Sequence, residues 1–268
     1  MKVSERVSAS IESRLLQPFI QNHYSKTKYG KIISKYKNSF SGRRCFFIGN
    51  GPSLCADDLT VLYEHEEICF AFNRIYNIFD DTLWRPSFYI SQDEKMLKGS
   101  EEEVKRLKLA VKFIPIQLKW YYNINIDDAL YFNMNWKQKE SYKDFIFSDN
   151  AEKELVCANT GMYTAAQLAV YMGFSEIYLI GVDHHFQISQ NNKGEIIVDN
   201  SAKDYFCEKY NEDKENLYIP NIEKSTLTYL AMKKNCEERG VKIYNATRGG
   251  KLEVFPRVSF EKIWMGNM

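Results

Sequence analysis

From Cys45 the chain reads Cys-Phe-Phe-Ile-Gly-Asn-Gly-Pro-Ser-Leu, an apolar run that breaks into two glycines, an asparagine and a serine. Gly49 and Gly51 permit a tight turn and the close approach of backbone to a ligand. Ser53 is placed to cap a following helix, whose first N–H groups would then face an anion, with Asn50 beside them. Phosphate is the ligand such a loop suits. The loop is not a complete dinucleotide fingerprint, because Leu54 stands where the third glycine belongs. It is not a Walker loop either, since no Gly-Lys-Ser/Thr follows. A plain strand-to-helix turn would use the same residues.

Polar groups end three further apolar runs: Asn73-Arg74, Ser91-Gln92-Asp93 and Asp183-His184-His185. Asn159-Thr160-Gly161 opens a segment of small and apolar residues, where Asn or Thr would cap a helix and aim its positive end at a ligand. The two histidines carry the side chain that titrates nearest neutrality, which suits a general base. Asp183 is placed to orient the neighbouring imidazole. Adjacent residues on a strand point to opposite faces, so at most one of His184 and His185 is expected to face a pocket.

The elements that must hold these groups are legible as buried strands apolar on both faces. They fall at Cys45–Ile48, Ile68–Phe72, Ser87–Ser91, Val111–Ile116, Glu176–Val182 and Val241–Tyr244. Helices are expected at Glu101–Leu109, Thr160–Met172 and Ile222–Arg239, the last stopped by Gly240. Strands alternating with helices predict an α/β fold, a doubly wound and mostly parallel Rossmann-like sheet with right-handed crossovers. In such a sheet ligands sit beyond the carboxyl ends of the strands, where all the polar groups above fall. Residues 120–155 show no clear period, and residues 184–220 are long enough between a strand and a helix to form a lid.

Composition narrows the class. A net charge of +1 argues against general nucleic-acid binding. Residues 1–45, however, hold ten lysines and arginines against Glu5 and Glu12. This basic lead-in, residues 1–43, is expected to be solvated, or to lean on anionic lipid. The core domain is then 44–264, with its lid at about 184–220. Six cysteines without metal-ligand spacing read as reduced packing residues. No apolar stretch approaches the roughly 20 residues of a membrane span, and the N-terminus lacks the apolar block of a secretory signal. A cytoplasmic protein is expected; peripheral contact with the inner face of a membrane through its N-terminus and a homo-oligomer are both compatible with this.

The motifs also resemble a bacterial family. Phe47–Leu54, Phe72-Asn73-Arg74-Ile75-Tyr76, Asn159-Thr160-Gly161-Met162-Tyr163 and Glu176–Asp183 look like those of the lipooligosaccharide sialyltransferases. They are similar to the sialyltransferase-like domain of motility-associated flagellin glycosyltransferases as well. The ending Ile243–Pro256 resembles a wider group labelled 6-hydroxymethylpterin pyrophosphokinase-like. The resemblance implies inverting, metal-independent transfer of an acidic, sialic acid-like sugar from a CMP-activated donor to a glycan or other hydroxyl acceptor. It implies no cofactor beyond that donor. Carried over singly, Gly49, Asn50 and Ser53 would hold the donor's phosphate and ribose, Asn73 would touch phosphate or sugar, and Thr160 and Gly161 would flank the cytidine. The alternative is an ATP- and Mg²⁺-dependent pyrophosphokinase acting on a small hydroxymethyl substrate, with Asp93, Asp183 and other rim carboxylates on the metal.

One departure from the family stands out. Its lid carries a catalytic histidine, whereas residues 186–268 here contain none. Asp204, Tyr205, Glu208, Tyr210 and Tyr218 lie there instead. Tyr205 or Tyr218 would take the family's role of stabilising the leaving phosphate. The base is then His184, His185, a lid carboxylate such as Asp204, or absent.

Overall fold

The computed structural model describes residues 22–108, 111–211 and 217–265. Its elements in chain order are α1 (Lys28–Ile33), β1 (Arg44–Ile48), α2 (Ala56–Glu64), β2 (Cys69–Phe72), β3 (Phe88–Ile90), α3 (Glu94–Gly99), α4 (Glu101–Arg106), β4 (Val111–Pro115) and α5 (Ile116–Tyr122). Then come β5 (Ala129–Phe132), β6 (Met134–Asn135), β7 (Leu155–Val156), α6 (Gly161–Met172), β8 (Glu176–Ile180), β9 (Ile188–Gln190), β10 (Ile196–Val198), α7 (Ile222–Glu237), β11 (Lys242–Asn245) and α8 (Lys262–Met265).

Seven strands form one sheet in the order β11-β8-β1-β2-β3-β4-β5, and every neighbouring pair is parallel. This is the expected α/β, Rossmann-like arrangement. Cys45, Phe46, Phe47 and Ile48 are all fully buried, as a strand covered on both faces requires. From β1 the chain steps outward through β2, β3, β4 and β5 on one side. The later strands β8 and β11 lie on the other. The connections leaving β1 and β8 therefore diverge, and a crevice opens between them at the carboxyl edge.

Strand β5 lies in the stretch where the sequence shows no period. Its four residues are buried at the sheet edge, where one covering segment hides the flank an edge strand would otherwise expose. That segment belongs to the basic lead-in, and here the expectation of a solvated segment does not hold. Tyr24 is buried and its hydroxyl donates to the Tyr131 carbonyl, while the Tyr29 ring meets Tyr131 edge-on at 5.3 Å. Tyr36 packs on Phe88 and Phe113, and Phe40 stacks on Phe174 at 5.0 Å. Four aromatic anchors outweigh the alternating lysines, which remain at the surface. The lipid-contact expectation for residues 1–21 lies outside the described residues. No helix among those described is long and apolar enough to cross a membrane.

The helices that matter for the cleft begin at its edge. Thr160 caps α6 by accepting the Met162 N–H, and the helix ends at Gly173 with φ 89°. Asn221 caps α7 by accepting the Lys224 N–H at 2.8 Å. Between β8 and α7 the lid region carries the antiparallel β9–β10 hairpin. Two hydrogen bonds seat it on the body, Phe206 N–H on the Asn50 carbonyl at 3.1 Å and the Arg74 guanidinium on the Tyr210 carbonyl at 2.8 Å, while Gln190 N–H on the Pro220 carbonyl at 2.8 Å ties the lid to itself.

Candidate active site

The loop after β1 does something other than its glycines suggested. Gly49 N–H donates to the Ile180 carbonyl at 2.7 Å and Gly51 N–H to the Gly181 carbonyl at 2.8 Å. A Cβ on Gly49 would lie 2.3 Å from the Gly181 oxygen, and one on Gly51 would lie 2.0 Å from Asp183 Oδ2. The glycines thus admit the β8 loop, not a ligand, to the backbone. Ser53 also turns inward. Its hydroxyl donates to Asp183 Oδ2 at 2.7 Å, supported by its N–H at 3.2 Å. Helix α2 starts only at Ala56, after Cys55 and with no side-chain cap, so Ser53 is not the cap expected of it. The loop's amides are largely spent within the protein, and the start of α6 is the helix end that lines the cleft.

A cleft of about 580 Å³ opens at this carboxyl edge. Of the residues singled out from sequence, Gly49, Asn50, Gly51, Asn73, Asn159, Thr160, Gly161, Asp183, His184, His185, Asp204 and Tyr205 line it. Ser53 does not. Asn50 Nδ2 donates to the Phe72 carbonyl at 3.0 Å, while its Oδ1 is buried without a partner among the described residues. Asn73 adopts a left-handed φ of 51°, and its side-chain oxygen accepts from Ser91 at 3.1 Å. Asn159 leans on Thr228 of α7 through both its N–H and its amide.

Both histidines line the cleft, where at most one was expected to face it. The chain has left extended geometry there: His184 has φ 52°, so the two rings no longer alternate across a strand. His184 Nε2 lies 2.7 Å from Thr226 Oγ1 and its ring meets Tyr229 edge-on. Burial pushes its pKa down to about 4, so the ring is neutral near pH 7. His185 Nε2 lies 2.7 Å from Asp199 Oδ2 and 2.9 Å from Lys251 Nζ. Asp199, on the lid, is held well below the usual carboxylate range by the Ser201 hydroxyl and then by His185.

The acids of the rim are capped or clamped. Asp93 accepts the Met96 N–H at 3.0 Å as the cap of α3, and burial pushes its carboxyl up. Burial also raises Asp183, against the two Ser53 bonds. Asp204 accepts the Gln187 N–H at 2.6 Å. On the lid, Tyr205 stacks on the fully buried Tyr210 at 3.8 Å, and burial pushes its hydroxyl up to about 12. Tyr205 therefore stays protonated and is a hydrogen-bond donor. The Tyr218 hydroxyl donates to Glu94 while its ring stays half exposed.

Sequence reasoning passed over Trp136, Glu94, Lys224 and Tyr229, all on the cleft wall. Trp136 follows β6 in the aperiodic stretch, so nothing in its neighbourhood marks it. Lys224 lies inside a correctly expected helix, where a lone lysine reads as surface. The Arg248-Gly249-Gly250-Lys251 turn divides in two. Arg248 is bound to Asp58 and Glu261, whereas Lys251 reaches His185.

A parallel sheet with a polar cleft at its crossover point defines an α/β protein of the doubly wound class. The family model described as 6-hydroxymethylpterin diphosphokinase MptE-like matches residues 17–189, and the chain belongs to that family. Among solved structures the chain is similar to the MAf glycosyltransferase from Magnetospirillum magneticum AMB-1, at 16% identity and a TM-score of 0.49. That similarity covers 87% of this chain and 38% of the other, so the chain spans well under half of that protein's length. A comparison with curated proteins gives no match.

Proposed function

We propose that this chain is a glycosyltransferase that binds a nucleotide-activated sugar in the cleft, with a CMP-linked acidic sugar as the donor. The observation that carries the reading is a base and an acid in one lidded cleft. His185 is backed by Asp199, and Tyr205 is a protonated hydroxyl on the lid. The cleft volume lies within the range of small-molecule sites. In the proposed step an acceptor hydroxyl oxygen attacks the anomeric carbon of the donor sugar. The bond from that carbon to the donor phosphate breaks, and the phosphate leaves with the electron pair. The acceptor's proton passes to Nδ1 of His185, because Nε2 is engaged by Asp199. Tyr205 donates to the departing phosphate, and the first N–H groups of α6 meet its charge. His184, neutral and turned to Thr226, positions the wall of the cleft, and burial disfavours its taking up a proton.

The family description favours a second reading, diphosphoryl transfer from ATP with Mg²⁺. Magnesium needs only one or two carboxylates beside substrate phosphates, and Asp93 and Glu94 are on the cleft wall. Among the described residues no three His, Cys, Asp or Glu side chains converge as a metal-binding group. Thermal shifts with CMP, CDP, UDP and ATP, each with and without Mg²⁺, separate the two readings. Protection by the cytidine nucleotides without metal, followed by sugar transfer from the CMP donor that His185→Ala abolishes, is the expected result. Protection by ATP with Mg²⁺ alone would overturn the glycosyltransferase reading.

A further inference from the structure

Each acid on the cleft wall already has a donor from the protein. Asp183 takes Ser53, Asp204 the Gln187 N–H, Asp93 the Met96 N–H, and Glu94 the Tyr218 hydroxyl. Lys224 differs. It is the one lysine or arginine among the described residues that line the cleft, and its ammonium pairs with no carboxylate among them.

Its position is unfavourable only mildly, since the side chain is exposed to solvent. Lys224 sits in the first turn of α7, three residues after the Asn221 cap. A cation there opposes the positive end of the helix dipole. An ion pair would offset the conflict, and none of the described residues supplies one. Thr228, one turn further along the same face, receives both the N–H and the amide of Asn159, and nearby Thr226 meets His184. The face of α7 that bears Lys224 is therefore the one applied to the Asn159 wall. A local preference broken at a cleft, and offset by no ion pair from the described residues, marks Lys224 as a candidate for ligand binding.

We infer that Lys224 is the anion-recognising residue of the cleft. Its ammonium binds the carboxylate or phosphate oxygens of a substrate lying between the start of α6 and the lid. The inference rests on the transferase reading for the name of the substrate, but not for its charge. Within that reading it makes Lys224 the residue that separates charged donors from neutral ones.

The test compares the full chain with Lys224→Gln and Lys224→Arg, using calorimetry with inorganic pyrophosphate, glucuronate and, as the neutral control, glucose. The wild-type chain is expected to bind at least one anion about tenfold more tightly than glucose. Lys224→Gln should lose that preference and Lys224→Arg should keep most of it. Loss confined to pyrophosphate assigns Lys224 to a phosphate, and loss confined to glucuronate assigns it to a sugar carboxylate. Urea unfolding midpoints check that the variants are folded, as an exposed position allows. Anion binding unchanged in Lys224→Gln, or no preference for either anion in the wild-type chain, overturns the inference. A chain that holds these anions through Lys224 yet transfers no sugar from any nucleotide donor would refute the transferase reading and leave the anion subsite standing.

Discussion

Replacing Gly49 by alanine tests how tightly the β1 and β8 loops are joined. The added methyl carbon would lie 2.3 Å from the Gly181 oxygen and 2.8 Å from its carbonyl carbon. Both are backbone atoms, so no side chain can swing aside. The loops must part, which strains or breaks Gly49 N–H to Ile180 and Gly51 N–H to Gly181. Two backbone hydrogen bonds contribute about 1 kcal/mol each, and overpacking a rigid contact adds about 1–3 kcal/mol. The expected loss is about 3–5 kcal/mol. With a urea m-value of about 3 kcal/mol/M, the unfolding midpoint should fall by about 1 M or more. Gly161→Ala is the control, because its methyl would meet nothing closer than a Phe72 ring atom at 3.5 Å. Its stability should stay within about 0.5 kcal/mol of wild type. If Gly49→Ala unfolds at the wild-type midpoint, the close-packed crossing is wrong, and with it the argument that these glycines serve the fold.

Three further outcomes are expected. The folded protein keeps His184 neutral down to about pH 4, whereas the unfolded chain protonates it near 6.5. Between those values the unfolded state carries the extra proton, so stability falls as pH drops, by up to about 3 kcal/mol by pH 4. Urea midpoints measured from pH 7 to pH 4 should show that slope in wild type and a shallower one in His184→Gln. Lys112 is fully buried with its ammonium 2.7 Å from both oxygens of the half-exposed Asp128. Asp128→Asn should cost about 2–3 kcal/mol by stranding that charge, while Lys112→Met should be close to neutral, and equal losses would contradict the asymmetry. Tyr205→Phe keeps the stack on Tyr210 but removes the donor. Its kcat for sugar transfer should fall about a hundredfold with little change in KM, and an unchanged kcat would remove Tyr205 from the reaction.

The sheet was legible because its strands are covered on both faces, and runs such as Cys45–Ile48 and Glu176–Ile180 announce that directly. Strand β5 was not, because Ala129–Phe132 is short and its burial comes from Tyr24 and Tyr29, about a hundred residues away in the chain. The rim residues were found because strand ends must collect there in any parallel sheet. What each rim residue does was harder to read. The glycine pair carries the same signature whether a phosphate or another loop approaches it, and here Gly181 is what arrives. Ser53 looked like a cap because no local cue places Asp183, 130 residues on, within reach of its hydroxyl. The positive φ of His184 likewise has no sequence signal, and it alone brings both imidazoles to one cavity.

The seat of the lid is written in main chain. Phe206 N–H on the Asn50 carbonyl and the Arg74 guanidinium on the Tyr210 carbonyl hold it, and apart from that guanidinium these atoms exist whatever side chain is attached. Placement is thereby uncoupled from recognition. A side chain on the lid such as Gln190 can therefore change without removing the main-chain bonds that hold the cover in place.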